Sequence, residues 1–293
     1  MRILCVCAVL LGAAVPCRIV PAGEGAGPGA APAAADARYW VEQMKKVHAQ
    51  FKGERGTFAH FGDSITVSMA FWASLSWNRK NMDAAAQADF DLVKAHMKEA
   101  CWREWKGPEF GNTGMMTVRW AYDNVDKWLE KLNPEAALIM FGTNDVGRVP
   151  LEEYKEKTRE VVRKCLANGT IVILSTIPPR HGQDEKVKGY VEAVRNVARE
   201  TAVPLCDYYQ AVLQRRPDDW DGAAEKFKGT VKDVYQVPTL ISGDGVHPSN
   251  PKQWEGDYSE EGLKHNGFVL RNYAVLRSYA GVVREVIGAR PAK

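Results

Sequence analysis

The sequence predicts an α/β domain with a mainly parallel sheet, and two features of the chain support this. Short, uninterrupted apolar runs alternate with segments of helical periodicity from residue 57 onwards. An uninterrupted apolar run is typical of a parallel strand that helices cover on both faces. Strands that alternate with helices in this way build a parallel sheet, and ligands bind at the carboxyl ends of its strands.

Short apolar runs give the predicted strands, at residues 57–61, 136–141, 170–174 and 203–206. The spacing of apolar residues predicts helices at residues 39–51, 65–77, 118–132, 151–167, 185–201 and 263–287. Asn168 and Gly169 form a typical helix stop. Residues 78–107 are polar and helical and resemble an insertion, whereas residues 217–240 follow no regular pattern.

The N-terminus has the pattern of an export signal. Arg2 precedes an apolar stretch at residues 3–15 that is too short to span a bilayer. We expect a signal peptide at residues 1–22, cleaved near Ala22, then a disordered Gly/Ala/Pro linker at 23–38 and a single domain at 39–293. The protein is therefore predicted to be secreted or periplasmic. Lipoprotein anchoring through Cys17 is a weaker alternative, because Pro16 precedes that cysteine.

Composition excludes some classes of function. The 293 residues are 45% hydrophobic and carry a net charge of +3, with Lys and Arg evenly mixed among Asp and Glu. That charge is too small and too dispersed for a nucleic-acid surface.

Three cysteines remain after the signal, namely Cys101, Cys165 and Cys206. They fit either one disulfide with a free thiol or three separate buried thiols.

Ser64 follows the first predicted strand, in the sequence Gly62-Asp63-Ser64. A hydroxyl at a strand-to-helix turn lies at the sheet edge, where the N-terminus of the helix favours developing negative charge. The plainer interpretation is that Ser64 caps the helix.

Asn144 follows the second predicted strand, within Gly142-Thr143-Asn144-Asp145. Its amide could donate to an oxyanion, although Asn and Asp also favour ordinary turns. A further turn, at residues 111–114, could add a backbone N–H donor.

Asp244 and His247 are three residues apart in a loop rich in glycine and proline. A histidine in such a pair can take a proton from a hydroxyl while the aspartate fixes its tautomer. Alternatively, Asp244 and His247 could be two of the ligands of a metal ion. The other histidines are scattered and fit packing or surface positions, namely His48, His60, His96, His181 and His265.

These segments occur in the order Gly-Asp-Ser, Gly, Gly-x-Asn-Asp, Asp-x-x-His. That ordered set resembles the SGNH hydrolases, also called the GDSL esterase/lipase family, over residues 55–280 or so. The resemblance implies a flavodoxin-like three-layer α/β/α sandwich that needs no cofactor or metal. It implies Ser64 as nucleophile, His247 as general base and Asp244 as the residue that orients the histidine. The implied oxyanion hole combines the Ser64 N–H, the Gly114 N–H and the Asn144 side chain.

Two positions depart from the family pattern. Ile65 replaces the leucine that usually follows Gly-Asp-Ser, and Thr117 stands where a second glycine is common. The glycine donor is therefore assigned to Gly114, with Gly111 as its competitor.

The substrate is predicted from export and from the lack of a long apolar lid segment. Within the family, these features resemble carbohydrate acetylesterases that remove short acyl groups. Arg180 and His181 are candidates to line the pocket. Four tryptophans could stack on sugar rings or simply pack in the core: Trp102, Trp105, Trp220 and Trp254.

Three rival functions remain open. One is a lysophospholipase or thioesterase of the same fold, and another is a carbohydrate-binding protein without activity. The third is a metal-dependent phosphoesterase that uses His60 and Asp63 together with Asp244 and His247.

Overall fold

The computed structural model describes residues 38–104 and 113–288. The predicted signal peptide, almost all of the predicted linker, Trp105 and Gly111 lie outside these residues. In the described part of the chain, no helix is both long and apolar enough to cross a membrane.

The described residues form a parallel sheet in the strand order β1-β2-β3-β4. Its strands are β1 (Phe58–Gly62), β2 (Ala136–Met140), β3 (Ile171–Ser175) and β4 (Leu205–Cys206). The first three strands are buried along their whole length, which explains their uninterrupted apolar character. Phe58 pairs with Ala136 and Gly62 with Met140, so β1 and β2 end at the same edge.

Helices cover the sheet in two groups. One group, α4 to α6, packs in series and contacts β1 and β3, while the other contacts β3 and β4 through α1 and α9. The predicted three-layer α/β/α class is therefore confirmed. The helices are α1 (Val41–His48), α2 (Ser64–Val67), α3 (Ala84–His96), α4 (Val118–Leu132), α5 (Leu151–Ala167), α6 (Asp184–Glu200), α7 (Tyr208–Arg215), α8 (Glu260–His265) and α9 (Gly267–Val282).

The single helix predicted over residues 65–77 was wrong. Helix α2 ends at Val67, and after a turn the chain forms a separate 3₁₀ turn at Ala73–Ser76. Tertiary contacts break the helix: the buried Arg271 guanidinium binds the Ile65 carbonyl at 2.6 Å. Asn272 accepts the N–H of Trp72 at 2.7 Å, which holds that residue at a φ of 62°.

Residues 78–104, within the segment that resembles an insertion, pack one face into the core. Phe90, Cys101 and Trp102 are buried there, and helix α3 packs against α9. Trp102 stacks on Trp72 with ring centroids 5.2 Å apart. The sequence did not predict this buried face, because polar residues separate the apolar positions of the segment.

All three described cysteines are buried free thiols. Burial raises the pKa of Cys101 and Cys206 to about 11 and that of Cys165 to about 12. Each is therefore a packing residue, since the reactive thiolate form is suppressed.

A buried carboxylate stabilises the sheet at the end opposite to Ser64. The Glu135 side chain is fully buried and contacts His96 and His48 at 2.8 and 2.9 Å. It also accepts the N–H of Gly56 at 2.6 Å. Burial raises the pKa of Glu135, but these hydrogen bonds outweigh burial and hold it well below its usual range. The ionised carboxylate thus joins α1, α3 and the start of β2.

Replacing Glu135 by Gln should lower the free energy of unfolding at neutral pH by about 2 to 4 kcal/mol, because one buried network loses its charge. The folded pKa lies below the unfolded value of about 4.3, so this stabilisation is present above that pH and is lost as the pH falls. Urea unfolding of both proteins at pH 7 and at about pH 3.5 measures the difference.

Glu130→Gln on the exposed side of α4 is the matched control, and it should change stability by less than about 0.5 kcal/mol. A Glu135→Gln protein as stable as this control at pH 7 would contradict the assigned role.

Candidate active site

Ser64 lies at the first turn after β1, at the edge where β2 also ends. Gly62 permits this turn, since a Cβ there would come within 2.2 Å of the Thr66 hydroxyl oxygen. Asp63 caps α2, accepting the N–H of Ile65 at 3.2 Å, so the capping role considered for Ser64 belongs to its neighbour. The Ser64 hydroxyl remains available for another partner.

That partner is His247. The Ser64 Oγ lies 2.8 Å from His247 Nε2, and His247 Nδ1 lies 2.7 Å from Asp244 Oδ2. The three side chains thus form one hydrogen-bonded chain across 183 residues of sequence. The side chains of Asp244 and His247 are each 28% exposed, so solvent can reach these hydrogen-bonded side chains.

The loop around Asp244 holds its carboxylate ionised. Oδ1 accepts the backbone N–H groups of Val246 and His247 at 2.8 and 2.9 Å and the Ser242 hydroxyl at 2.7 Å. Burial raises the pKa of Asp244, but the hydrogen bonds from His247 and the loop keep it well below its ordinary value. An acceptor fixed in this way leaves Nδ1 of His247 as the protonated nitrogen and Nε2 free to accept from Ser64.

Asn144 and the Ser64 backbone converge on one oxygen atom. The Asn144 amide nitrogen lies 3.2 Å from the Gly114 carbonyl oxygen, and the Ser64 N–H donates to that same oxygen at 2.7 Å. Asn144 also donates to the Met116 carbonyl at 3.1 Å. Two of the three predicted oxyanion donors, the Ser64 N–H and the Asn144 amide, therefore meet at the carbonyl oxygen of Gly114. Gly114 has a φ of 86°, which glycine adopts without strain.

Charged groups are buried directly beneath this edge. Burial raises the pKa of Asp63 to about 6, although the nearby Arg271 opposes the shift. Burial, together with the charge of Asp63, raises the pKa of Asp145 to about 7, and the Val118 N–H at 2.9 Å partly offsets this. Arg271 donates to the Ile65 carbonyl and to the Thr66 hydroxyl, at 2.6 and 2.9 Å.

The buried position of these groups beneath the site was not predicted from the sequence, in which Asp63 was considered only as a ligand of the rival metal site. Asp63 and Asp145 lie inside the quoted motifs, beside Ser64 and Asn144, but composition alone does not tell a buried carboxyl from a turn residue. Arg271 had a clearer signal, as a cation in the apolar run Phe268-Val269-Leu270 of the terminal helix. Long charged side chains are almost never fully buried unless paired.

An open cleft of about 370 Å³ reaches Ser64 and His247. Its lining includes Ser68, Ala70 and Phe268, together with the polar side chains of the segment from Asp233 to Gln236. The remaining lining residue is Asn250, three positions after His247.

Arg180 and His181, the other two residues considered for the pocket, have different neighbours. The cleft lining does not include Arg180 or His181. Arg180 donates to the Thr143 carbonyl at 2.9 Å, and His181 pairs with Asp221 at 2.5 Å. His181 nevertheless touches the Asp244 loop, because its N–H donates to the Gly245 carbonyl at 2.9 Å.

The described tryptophans named as sugar platforms are held by the protein. Trp102 is 2% exposed, so no sugar ring can reach it. Trp254 stacks on His265 with centroids 5.1 Å apart, and Trp220 is partly buried against the core.

The rival metal site lacks a ligand cluster. Among residues 38–104 and 113–288, no three His, Cys, Asp or Glu side chains are grouped so that they could hold a metal ion. His60 packs edge-on against Phe58 and Phe71 instead.

The chain is similar to several solved structures, among them the psychrotrophic esterase EstA from Pseudoalteromonas sp., with 15% identity over 78% of this chain and 99% of that chain and a TM-score of 0.48. A lipolytic protein of the G-D-S-L family from Desulfitobacterium hafniense shares 17% identity over 76% of this chain and 99% of its own, with a TM-score of 0.47. An acetylxylan esterase from Geobacillus stearothermophilus, solved as a catalytic mutant, shares 22% identity over 78% and 95%, with a TM-score of 0.44. No curated protein matches the chain significantly.

The family comparison is more direct. The profile of the GDSL-like Lipase/Acylhydrolase family matches residues 60–251, a range that contains Ser64, Asn144, Asp244 and His247. The match covers well over half of the chain, and the resemblance read from the motifs is confirmed. This chain therefore belongs to the GDSL-like lipase/acylhydrolase family, a family of ester hydrolases.

Proposed function

We propose that this chain is a secreted serine esterase that removes short acyl groups, above all acetyl, from carbohydrate through an acyl-enzyme on Ser64. The observation that carries the proposal is the hydrogen-bonded chain from the Ser64 hydroxyl through His247 to Asp244. Export rests on the pattern of residues 1–22.

In the first step, Ser64 Oγ attacks the carbonyl carbon of the ester while His247 Nε2 takes the hydroxyl proton. The tetrahedral intermediate then collapses, the ester C–O bond breaks, and His247 returns the proton to the leaving alcohol. In the second step, His247 takes a proton from water as the water attacks the acyl group on Ser64. Ser64 regains its proton and the acid leaves, so that atoms and charge balance. Asp244 stabilises the imidazolium in both steps.

The proposed oxyanion hole requires the Gly114 carbonyl to move. The Ser64 N–H and the Asn144 amide already aim at one point, which that carbonyl oxygen occupies. A substrate oxyanion would replace the carbonyl oxygen there and would gain from both donors as negative charge develops. Gly114 can undergo this rotation because it has no Cβ, and its N–H is the third proposed donor.

Preference for a short acyl group is supported by the cleft. Of the residues that line it, only Ala70 and Phe268 offer purely apolar side chains. A medium or long acyl chain would need a longer apolar surface to remove it from water.

A second candidate, a lysophospholipase or thioesterase, is favoured by one observation. Met69, Met115 and Val234 are exposed hydrophobic residues that adjoin Ser68, Gly114 and Asp233 in sequence. They could hold a longer acyl chain outside the cleft. Initial rates on p-nitrophenyl esters of rising chain length separate the two candidates, since the proposed enzyme should prefer acetate and the alternative should prefer octanoate or longer.

Ser64→Ala should lower kcat on p-nitrophenyl acetate by about 1,000-fold or more, because the acyl acceptor is lost. It should also abolish the covalent adduct that a serine-directed phosphonate forms, as seen by intact-protein mass spectrometry. Ser76→Ala, which removes a hydroxyl bound to the Ala73 carbonyl, is the control and should leave both signals unchanged. A folded Ser64→Ala protein with full activity would overturn the assignment of the nucleophile.

Asp244→Asn should lower kcat by about 1,000- to 10,000-fold with little change in melting temperature. The amide oxygen can still accept the N–H groups of Val246 and His247, so the loop is kept. The amide nitrogen, however, would donate to Nδ1 of His247 and place the ring proton on Nε2, which could then no longer accept from Ser64.

The matched control is Asp221→Asn, which changes the neighbouring Asp–His pair at His181. Its kcat should stay within about tenfold of the wild type, and equal losses in the two variants would contradict the proposal.

Asn144→Ala should lower kcat on p-nitrophenyl acetate by about 100- to 1,000-fold with a small change in KM, because the lost donor acts mainly on the transition state. Asn124→Ala removes an amide that likewise donates to a backbone carbonyl, that of Trp120, and should leave kcat unchanged. If the two variants had the same kcat, Asn144 would be a residue of the turn only.

A further inference from the structure

The mechanism leaves one wall of the cleft unused. This polar wall consists of the 3₁₀ turn Val234–Gln236, its cap Asp233, and Asn250. It lies beside His247, since the rings of Tyr235 and His247 are 6.1 Å apart. It belongs to residues 217–240, for which the sequence predicted no regular structure.

The polar wall is held in place by hydrogen bonds. Gln236 donates to the Asn250 carbonyl at 3.2 Å and accepts the Lys252 N–H at 3.0 Å. The Asn250 N–H donates to the Tyr235 carbonyl at 2.8 Å. The turn is thereby tied to the chain segment that follows His247, so the wall keeps a fixed position relative to the proposed base.

Two polar groups in this wall have binding capacity that the protein does not use. Asp233 accepts the Tyr235 N–H with one carboxylate oxygen at 3.0 Å, and within the described residues no Lys or Arg pairs with it. The Asn250 side-chain oxygen accepts from Asn266 at 3.0 Å, while its own amide N–H groups bind no described residue. A carboxylate acceptor and an amide donor thus face one cleft, a combination that suits vicinal hydroxyl groups.

The cleft lining also includes two apolar residues. Ala70 and the side chain of Phe268 are apolar, and they line the same cleft as Ser64 and the polar wall. An ester held at Ser64 therefore finds both apolar and polar partners within reach. A small acyl group suits Ala70 and Phe268, whereas an alcohol half that carries hydroxyl groups suits the unused polar groups of Asp233 and Asn250.

We propose that Asp233 and Asn250 form the subsite for the alcohol half of the substrate, and that this half is a neutral sugar ring. This inference rests on the proposed esterase function. One sugar hydroxyl donates to the Asp233 carboxylate, and a neighbouring oxygen accepts from the Asn250 amide. An alcohol half that carries a carboxylate or a phosphate is disfavoured, because its charge would lie beside the uncompensated charge of Asp233.

The test compares an acetylated neutral oligosaccharide, acetyl-xylo-oligosaccharide, with p-nitrophenyl acetate, whose leaving group has no hydroxyl groups to bind. Asp233→Ala should raise KM for the oligosaccharide about tenfold or more, the loss expected for a hydrogen bond to a charged group. Its kcat/KM on p-nitrophenyl acetate should stay within about twofold of the wild type. Asp218→Ala, an exposed acid on the same irregular segment that does not line the cleft, should change neither value.

Asp233→Asn is the second variant, because it keeps the oxygen that caps the turn and removes only the charge. It should narrow the preference for the neutral oligosaccharide over an acetylated oligogalacturonide by at least about threefold. An unchanged preference would overturn the role given to the charge of Asp233.

Other outcomes distinguish the failure of the sugar subsite from the failure of the proposed esterase function. If Asp233→Ala lowered activity equally on both substrates, Asp233 would support the Ser64 site rather than bind sugar, and the inference would fail. A wild-type protein active on p-nitrophenyl acetate and inactive on every acetylated oligosaccharide would overturn the inference and the carbohydrate substrate of the proposed function, but not the serine esterase mechanism. A wild-type protein inactive on all of these esters and unreactive with the phosphonate would overturn the proposed function itself.

Discussion

The parallel pairing of β1 and β2 is the constraint on which the site depends. The pairing runs from Phe58 with Ala136 to Gly62 with Met140, and the Asp63 N–H extends it by donating to the Met140 carbonyl at 3.3 Å. Both strands therefore end at the same level, and the turns that carry Ser64 and Asn144 lie side by side. A one-residue change in register would exchange the side chains that one strand places on the two packed faces and would move its end relative to its partner, so packing on both faces keeps the two turns at the same level.

Around this edge the protein buries several charged groups. Arg271 comes from α9, more than 200 residues after Ser64, and binds the main chain of the Ser64 turn directly. Asp63 and Asp145 adjoin Ser64 and Asn144 in sequence and have pKa values raised to about 6 and 7. Buried charge of this kind contributes little net stability, but the removal of one partner is costly. These buried groups therefore add little to the free energy of unfolding, and their main effect is to hold the Ser64 turn in one geometry.

The residues around Gly114 combine a fixed and an adaptable part. Ser64, Asn144 and the Asp244 loop are held by strands, short turns and multiple hydrogen bonds, so their geometry is preorganised. The Gly114 carbonyl accepts from both converging donors, the Ser64 N–H and the Asn144 amide. A glycine at this position can adopt more than one backbone conformation at low cost, and in the proposed mechanism the substrate oxyanion replaces the Gly114 carbonyl oxygen as the acceptor.

The sequence by itself determined the fold class, the order of strands and helices, and the ester-hydrolase family. It did so because apolar periodicity and the four ordered motifs are local features of the chain. Helices α4 and α5 match the predicted ranges residue for residue, since each has a strong apolar face and a clear end. The roles of Ser64, Asn144, Asp244 and His247 were inferred from the same motifs, and they remain predictions that kinetics must test.

Only the tertiary structure decided how these groups meet and what surrounds them. It divided the helix predicted after Ser64, because Arg271 and Asn272 compete for its backbone groups from a distant helix. It placed Trp102 in the core and brought Asp233 and Asn250 to the cleft from segments without periodicity. It also put the Gly114 carbonyl, rather than open space, between the two converging donors. Such contacts join residues far apart in sequence, and their energies depend on burial and distance, which no local pattern of residues records.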